Sequence, residues 1–382
     1  MQVTISVPGR FHAFYLAQQL LKYGYMERLI TSYPRFEVVK YGIPKNKIKS
    51  IVIKEVLERG WDEFPFVKKI YNPQYVISEI YDTWASNLCT KTNIHVGFSG
   101  YSLNTLKKAK KMGSITVLER GSSHILYQTQ ILLEEYDKLG LMPRVAHPKI
   151  IEKELKEYLE ADYISVPSLF AKQSFLEYGI PETKLIHIPY GVHLNEFRQI
   201  PKEDNIFRVV YAGAMSIQKG IHYLLQAFSE LKIPNSELLL VGGISDEIRP
   251  FFNRYKNNLK WVNHVPQKEL YKYYSQGSIF VILSIQEGLA MVQAQAMACG
   301  LPVICTTNTG GGDIVRDGID GFIIPIKNTE AVKDRLLYLY NNHKICKAMG
   351  QSARERVSKG FTWDDYGDRM ISEYERIVRS YA

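Results

Sequence analysis

The chain has no apolar run approaching the ~20 residues that a membrane-spanning helix needs. It therefore offers no candidate spanning segment. Cysteine is scarce: Cys89, Cys299, Cys305 and Cys346 stand apart, with neither zinc-ligand nor disulfide-framework spacing. They read as buried free thiols in a reducing cytoplasm. No G-x-G-x-x-G follows the first apparent strand, which disfavours a hydride-transfer cofactor. No D-x-D pair is present to hold a divalent metal. Internal repeats and low-complexity tracts are missing, and Met1-Gln2-Val3 opens a strand rather than a signal peptide.

What is present fits a globular α/β protein. A length of 382 residues accommodates two domains of ~100–200 residues each, and the 46% apolar content supplies a sizeable core. The net charge of +9 gathers at Lys45-Asn46-Lys47-Ile48-Lys49, Lys68-Lys69 and Lys107-Lys108-Ala109-Lys110-Lys111. No nucleic-acid motif accompanies it, so nucleic acid is not the expected partner. For any one cluster a solvated lysine face is the simplest reading. An anionic membrane surface is the alternative, given Trp61, Phe64, Phe66 and Tyr71 nearby.

Along the chain, Val3 to Val7 reads as a first strand, Pro8-Gly9-Arg10 as a turn, and Phe11 to Tyr23 as a helix. Residues 25–93 are less informative, with short strands at Leu29 to Ser32 and Ser50 to Ile53. Strands follow at Ile94 to Gly97 and Ile115 to Leu118. The second of these ends in Glu119-Arg120-Gly121-Ser122-Ser123-His124, and polar residues at the carboxyl end of a parallel strand are where α/β proteins place ligands. Read without a ligand, the same residues are a serine helix cap beside a partly exposed histidine. The breaker-rich stretch from Asn195 to Asn205 marks an interdomain linker. A second domain restarts with the strand Arg208 to Tyr211, then Gly213-Ala214 and the turn Ser216-Ile217-Gln218-Lys219-Gly220. Another strand, Leu238 to Val241, ends in Gly242-Gly243.

Residues 281–321 organise the whole. Val281-Ile282-Leu283 is a buried strand, and Met291 to Cys299 is an alanine-rich helix stopped by Gly300 and Pro302. Val303-Ile304-Cys305 is the next strand. The elbow from Ser284 to Ala290 carries one acid, Glu287. A helix start presents unpaired amides and the positive dipole end, and Leu289 and Ala290 leave room for a phosphate to approach. Gln295 lies eight positions beyond Glu287, at most ~12 Å along a helical rise of ~1.5 Å per residue. The two side chains can hold opposite ends of a ligand that is hydroxyl-rich at both ends and phosphorylated in the middle, the shape of a nucleotide-sugar.

Glu287-Gly288 followed by Gln295-Ala296-Met297-Ala298-Cys299-Gly300 resembles the sugar-nucleotide motif of retaining glycosyltransferases of family 4, the group 1 transferases of the GT-B fold. The resemblance implies two Rossmann-like domains facing a cleft. These would be residues 1–195 for the acceptor and 206–361 for the donor, with a helix over 362–382 crossing back to the first. It implies a metal-independent enzyme without a cofactor, moving sugar from a nucleotide-diphosphate sugar to a glycan or lipid-linked hydroxyl. The enzyme would be cytoplasmic or at the inner membrane surface.

By the same resemblance, Glu287, Lys219, His124 and Arg120 are the catalytic candidates. The donor would meet Gly213, Lys219, Gly242, Val265, Glu287, Gly288, Leu289, Ala290, Met291 and Gln295, and the acceptor Gly9, Arg10, Ser122 and His124. The chain departs from the family pattern in three places: Gln295 replaces an acid that holds ribose, Ala214 replaces an arginine that neutralises the diphosphate, and His193 replaces another acid. The rival readings are an epimerase or phosphorylase on the same fold, and a nucleotide-sugar-binding protein without catalysis.

Overall fold

The structure is a computed structural model that describes residues 1–62, 72–255 and 259–381. The basic pair Lys68-Lys69 and the aromatics Phe64, Phe66 and Tyr71 lie outside the described residues.

Short β-branched and leucine-rich runs form two separate sheets. The first holds β1 (Val3–Val7), β2 (Met26–Thr31), β3 (Ile48–Ser50), β4 (Ile94–Phe98), β5 (Ile115–Glu119), β6 (Tyr163–Val166) and β7 (Leu185–His187). The second holds β8 (Phe207–Ala212), β9 (Ser236–Val241), β10 (Leu259–Val262), β11 (Ile279–Ile282), β12 (Val303–Thr306) and β13 (Gly321–Ile324). Every strand pairing is parallel. Parallel strands need crossovers, and the crossover helices cover both faces; this is why the strand segments read as continuous apolar runs. β1, β4, β5 and β11 are buried along their whole length.

The strand orders are β3-β2-β1-β4-β5-β6-β7 and β10-β9-β8-β11-β12-β13. Each order reverses direction once, between β1 and β4 and between β8 and β11. Crevices outside the carboxyl ends at such switch points are where open α/β sheets bind ligands. Two Rossmann-like domains result, with these edges facing one another, as the resemblance of the sequence implies.

The helix Trp363–Tyr381 packs back on the first domain. Trp363, Tyr366, Met370, Ile371, Tyr374 and Ile377 are buried. Trp363 stacks on Tyr15, with ring centroids 4.1 Å apart. Gln19 donates to Asp364 at 3.0 Å, and Tyr25 donates to Glu375 at 2.8 Å. Gly367 lies against the Gln19 side chain, where a Cβ would meet Oε1 at 2.4 Å.

Two expectations shift. The first helix runs from Ala13 to Lys22 rather than from Phe11, because Phe11 takes a left-handed backbone, φ 39°, that no helix interior accepts. The strand expected at Ser50 to Ile53 is instead β3 at Ile48–Ser50, and Ile53 opens the amphipathic helix Ile53–Asp62.

Candidate active site in the interdomain cleft

Between the two switch points lies a cleft of about 770 Å³. From the first domain it is walled by the turn after β1 (Gly9, Arg10, Phe11), by Tyr15 and Tyr33, and by the helix Ile53–Asp62 through Lys54, Glu55 and Glu58. From the second domain come Gly213, Ala214, Gly242, His264, Val265, Met291 and Gln295. Seven of the residues expected at the site therefore share one cavity: Gly9, Arg10, Gly213, Gly242, Val265, Met291 and Gln295.

The elbow after β11 is locked from behind. Ile285 donates its amide to Gln218 O at 2.8 Å, and the Thr306 hydroxyl donates to Ser284 O at 2.6 Å. Asn308 donates to Ile285 O at 3.0 Å. These bonds present Glu287 outward, and its carboxylate is ion-paired with the Lys219 ammonium. Both side chains remain partly exposed, at 19% and 25%. The pair thus joins the strand-to-helix turns after β8 and β11, two segments far apart in sequence.

The elbow amides are less open than the sequence implies. The Ala290 amide donates to Thr309 O at 3.0 Å, and of the residues at this helix start it is Met291 and Val292 that line the cleft. The Gly213 and Gly242 amides likewise donate within the sheet edge, to Val241 O and Val262 O, each at 2.9 Å. Their contribution is closeness of backbone: a Cβ on Gly242 would stand 2.0 Å from Gly213 O. Gln295 is buried, and its Oε1 accepts from the Tyr274 hydroxyl at 3.4 Å.

Ser122 and Gly288 belong to a seam between the domains. Gln286, fully buried, donates from Nε2 to the Ser122 and Ser123 hydroxyls at 2.6 and 2.8 Å. The Ser168 hydroxyl donates to Gly288 O at 2.6 Å. A Cβ on Gly288 would fall 2.1 Å from Gly121 O. Two backbones touch here, and glycine is what permits it. Leu289, also buried, packs in the core beside this contact.

His124 and Arg120 do not face the cleft, which corrects the expectation that they meet substrate. His124 caps the helix Ile125–Lys138: its Nδ1 accepts from the Leu126 amide at 3.3 Å. The residue is 2% exposed, and its ring lies parallel to Tyr178, with centroids 4.5 Å apart, and packs on Tyr158 and Phe175. Burial, reinforced by the Arg120 charge, lowers its pKa to about 4, so it is neutral at physiological pH. Arg120 donates to Ser123 O at 3.1 Å and to Gln128 at 2.8 Å, and pairs with Glu154 at 2.9 Å. With its donors engaged inward, it braces the Gly121–Ser123 turn.

Sequence reasoning missed a buried pair nearer the cleft. His12 Nε2 lies 3.0 Å from Glu119 Oε2, with both residues at 5% exposure or less, and the His12 ring packs on Tyr190 and Phe98. Phe11, beside it, is 61% exposed in the cleft. A left-handed phenylalanine costs ~1–3 kcal/mol of strain, which persists where the surroundings and a function hold it. Its position after Pro8-Gly9-Arg10 was the one available signal. Among the described residues, no group of three or more His, Cys, Asp or Glu gathers in a way that could hold a metal, and all four cysteines are free.

Residues 193–356 match the family model described as glycosyl transferases group 1. An uncharacterised glycosyltransferase of Methanocaldococcus jannaschii is 33% identical over 171 residues, 44% of this chain and 48% of that protein. The capsular polysaccharide biosynthesis glycosyltransferase CapM of Staphylococcus aureus is 28% identical over 45% of this chain and 47% of its own length. The matched region thus spans about half the length of these relatives. Among solved structures, a sucrose-phosphate synthase from Thermosynechococcus elongatus superposes with a TM-score of 0.68 over 100% of both chains, at 17% identity. HepE of Anabaena, solved with UDP and glucose, gives 0.70 over 98% of this chain and 100% of its own, at 12% identity. These likenesses establish the fold. The chain resembles the group 1 glycosyltransferases: the family's sequence pattern lies in residues 193–356, and the GT-B fold extends over the whole of it.

Proposed function

We propose that this protein is a retaining glycosyltransferase that moves a sugar from a nucleotide-diphosphate sugar to a hydroxyl acceptor. The observation that carries the reading is the Glu287–Lys219 pair, which joins the turns after β8 and β11, together with Gln295 on the wall of the cleft. An anion can draw on Lys219 while Glu287 accepts from sugar hydroxyls and the Gln295 amide donates to, or accepts from, a ribose hydroxyl.

In the reaction, the bond between the anomeric carbon and the diphosphate oxygen breaks while the acceptor oxygen bonds to the same face of that carbon. The acceptor's proton passes to the departing phosphate oxygen. The protein's part is to stabilise the charge that develops on the diphosphate and on the oxocarbenium-like sugar. No side chain is required as a covalent nucleophile, and no metal is required for the charge.

The acceptor enters past Phe11, whose exposed ring offers a stacking face, opposite Glu55 and Glu58. The likeness to CapM, a glycosyltransferase of capsular polysaccharide biosynthesis, favours a glycan or glycolipid acceptor of the cell surface. The first domain exposes the apolar Phe36, Val52 and Val56 and the basic Lys45, groups of the two kinds that an anionic lipid surface takes.

The test is thermal stabilisation by UDP, GDP, ADP, dTDP and CMP, followed by transfer from the matching radiolabelled sugars with and without EDTA. Binding of one nucleotide, weakened in Lys219→Ala, with EDTA-resistant transfer, is the expected result. A shift without transfer to any hydroxyl acceptor would favour the binding-only reading. No shift at all would remove the donor site. Failure to co-sediment with phosphatidylglycerol vesicles at low salt would remove the membrane surface alone.

A further inference from the structure

The charged side chains lining the cleft are few, and their pairing separates them. Lys54 is neutralised by Glu55 at 3.3 Å and by Glu58 at 2.7 Å. Lys219, outside the residues that line the cleft, is ion-paired with Glu287. Arg10 differs: its Nη1 donates to the Tyr41 hydroxyl at 2.6 Å and its Nη2 to Gln267 Oε1 at 3.2 Å, both neutral acceptors. Among the described residues, no carboxylate pairs with it. A guanidinium has five N–H donors, so three are left for a ligand, together with the whole charge.

The position of Arg10 matters as much as its charge. It follows β1 in the first domain, whereas Gln267 lies in the second, so the side chain already reaches across the cleft. The wall it faces carries Gly213, exposed Ala214 and Gly242, where backbone closeness admits a phosphate. That wall supplies little to hold the charge of a diphosphate, because the Gly213, Gly242 and Ala290 amides are engaged and Lys219 is shared with Glu287.

We propose that Arg10, from the first domain, is the cation that neutralises the diphosphate of a nucleotide bound on the second domain, so that the donor site is completed across the cleft. This rests on the nucleotide-sugar reading of the cleft. Arg10 rests on the neutral Gln267 amide. A diphosphate displaces that contact, because a charge-assisted, bidentate bond to phosphate is roughly twice as strong as a neutral one. Arg10 therefore discriminates nucleoside diphosphates from monophosphates, and donor binding ties the two domains together.

The experiment uses the full chain and calorimetric titration with UDP, GDP, ADP and dTDP. Whichever diphosphate binds the wild type is compared with its own monophosphate. Arg10→Gln is expected to weaken the diphosphate by about tenfold or more, with a change of less than about threefold for the monophosphate. Arg10→Lys retains the charge and loses the fork, and falls between. Ala214→Arg in the Arg10→Gln background, which returns a cation from the opposite wall, restores diphosphate affinity.

If the wild type binds a diphosphate and Arg10→Gln binds it equally well, Arg10 has no such role and the donor site stands without it. Equal losses for both nucleotides would show a merely structural role and overturn the proposal. If no diphosphate binds the wild type, both the proposal and the reading beneath it fall. Should Arg10→Gln fold poorly, Arg10→Lys and the Ala214→Arg single variant, expected to bind the diphosphate more tightly, decide the matter.

Discussion

His124 can accept a hydrogen bond at Nδ1 only while that nitrogen carries no proton, and its cap on the helix Ile125–Lys138 depends on this. In the folded protein burial and the nearby Arg120 charge lower its pKa from 6.5 to about 4. Between pH 6.5 and 4 the unfolded chain binds a proton that the folded chain refuses. The stabilisation is therefore complete above pH 6.5 and is lost as the pH falls toward 4. His124→Asn keeps an acceptor without the titration, so its urea-unfolding free energy should fall less between pH 7 and pH 4.5 than that of the wild type. Identical pH dependence would contradict the neutral cap. His124→Ala should cost about 0.5–2 kcal/mol for the cap alone. The sequence could not show this role: Ser-Ser-His at a strand end looks like a ligand site, and the ring's neighbours Tyr158, Phe175 and Tyr178 come from other elements.

At the scale of elements, the seam between the domains brings two backbones into contact at Gly288 and Gly121, with the Gln286 and Ser168 side chains bonded across it. Gly288→Ala would place a methyl group 2.1 Å from Gly121 O and 2.8 Å from Ser122 Cα. Backbone cannot swing aside like a side chain, so the Gln286 bonds to Ser122 and Ser123 must lengthen. The expected cost is about 1–3 kcal/mol of stability, with a loss of transfer activity as the elbow shifts. Gly121→Ala is the contrast, meeting only the Tyr190 hydroxyl at 3.1 Å. If thermal melting and transfer assays find the two variants equally mild, the contact does not set the elbow. Much at this scale was legible. β1 and β4, β5, β11 and β12 stand within a residue or two of where their apolar runs place them, because strands buried on both faces need unbroken apolar sequence. The wall formed by Lys54, Glu55 and Glu58 was not legible. An amphipathic helix puts its charges on the polar face, and no local pattern says whether that face meets solvent or a cleft.

At the scale of the molecule, the two domains also meet through Glu135. Fully buried, it accepts from Tyr223 at 2.7 Å, contacts His222 at 3.1 Å, and pairs with Lys327 at 3.2 Å. Burial alone would raise its pKa, but the His222 and Tyr223 hydrogen bonds and the charges of His222 and Lys327 prevail and hold it at about 2, below its ordinary 4.5. A carboxylate with a depressed pKa stabilises fully above 4.5, and that contribution disappears as the pH falls toward 2. Glu135→Gln should therefore be less stable at pH 7, by about 1–3 kcal/mol, and should converge with the wild type near pH 2. A difference in urea midpoint that stays constant with pH would contradict this. The facing of two Rossmann-like domains was implied by the family resemblance of residues 281–321 rather than by any local pattern. The cross-domain partners Glu135, Gln267 and Gln286 were not implied, since residues so distant in sequence reveal their pairing only once the chain has folded.

The helix Trp363–Tyr381 also bears on how the chain is made. Gln19 and Asp364, bonded in the finished molecule, are separated by 345 positions. A ribosome therefore lays down the entire first sheet, and then the entire second, before supplying the piece that shields Tyr15 and its neighbours. The second domain can mature in passing, while the first waits with an uncovered apolar flank. Growing chains stalled short of residue 363 should consequently be chaperone clients, and the nineteen residues of this helix are the ones that release them.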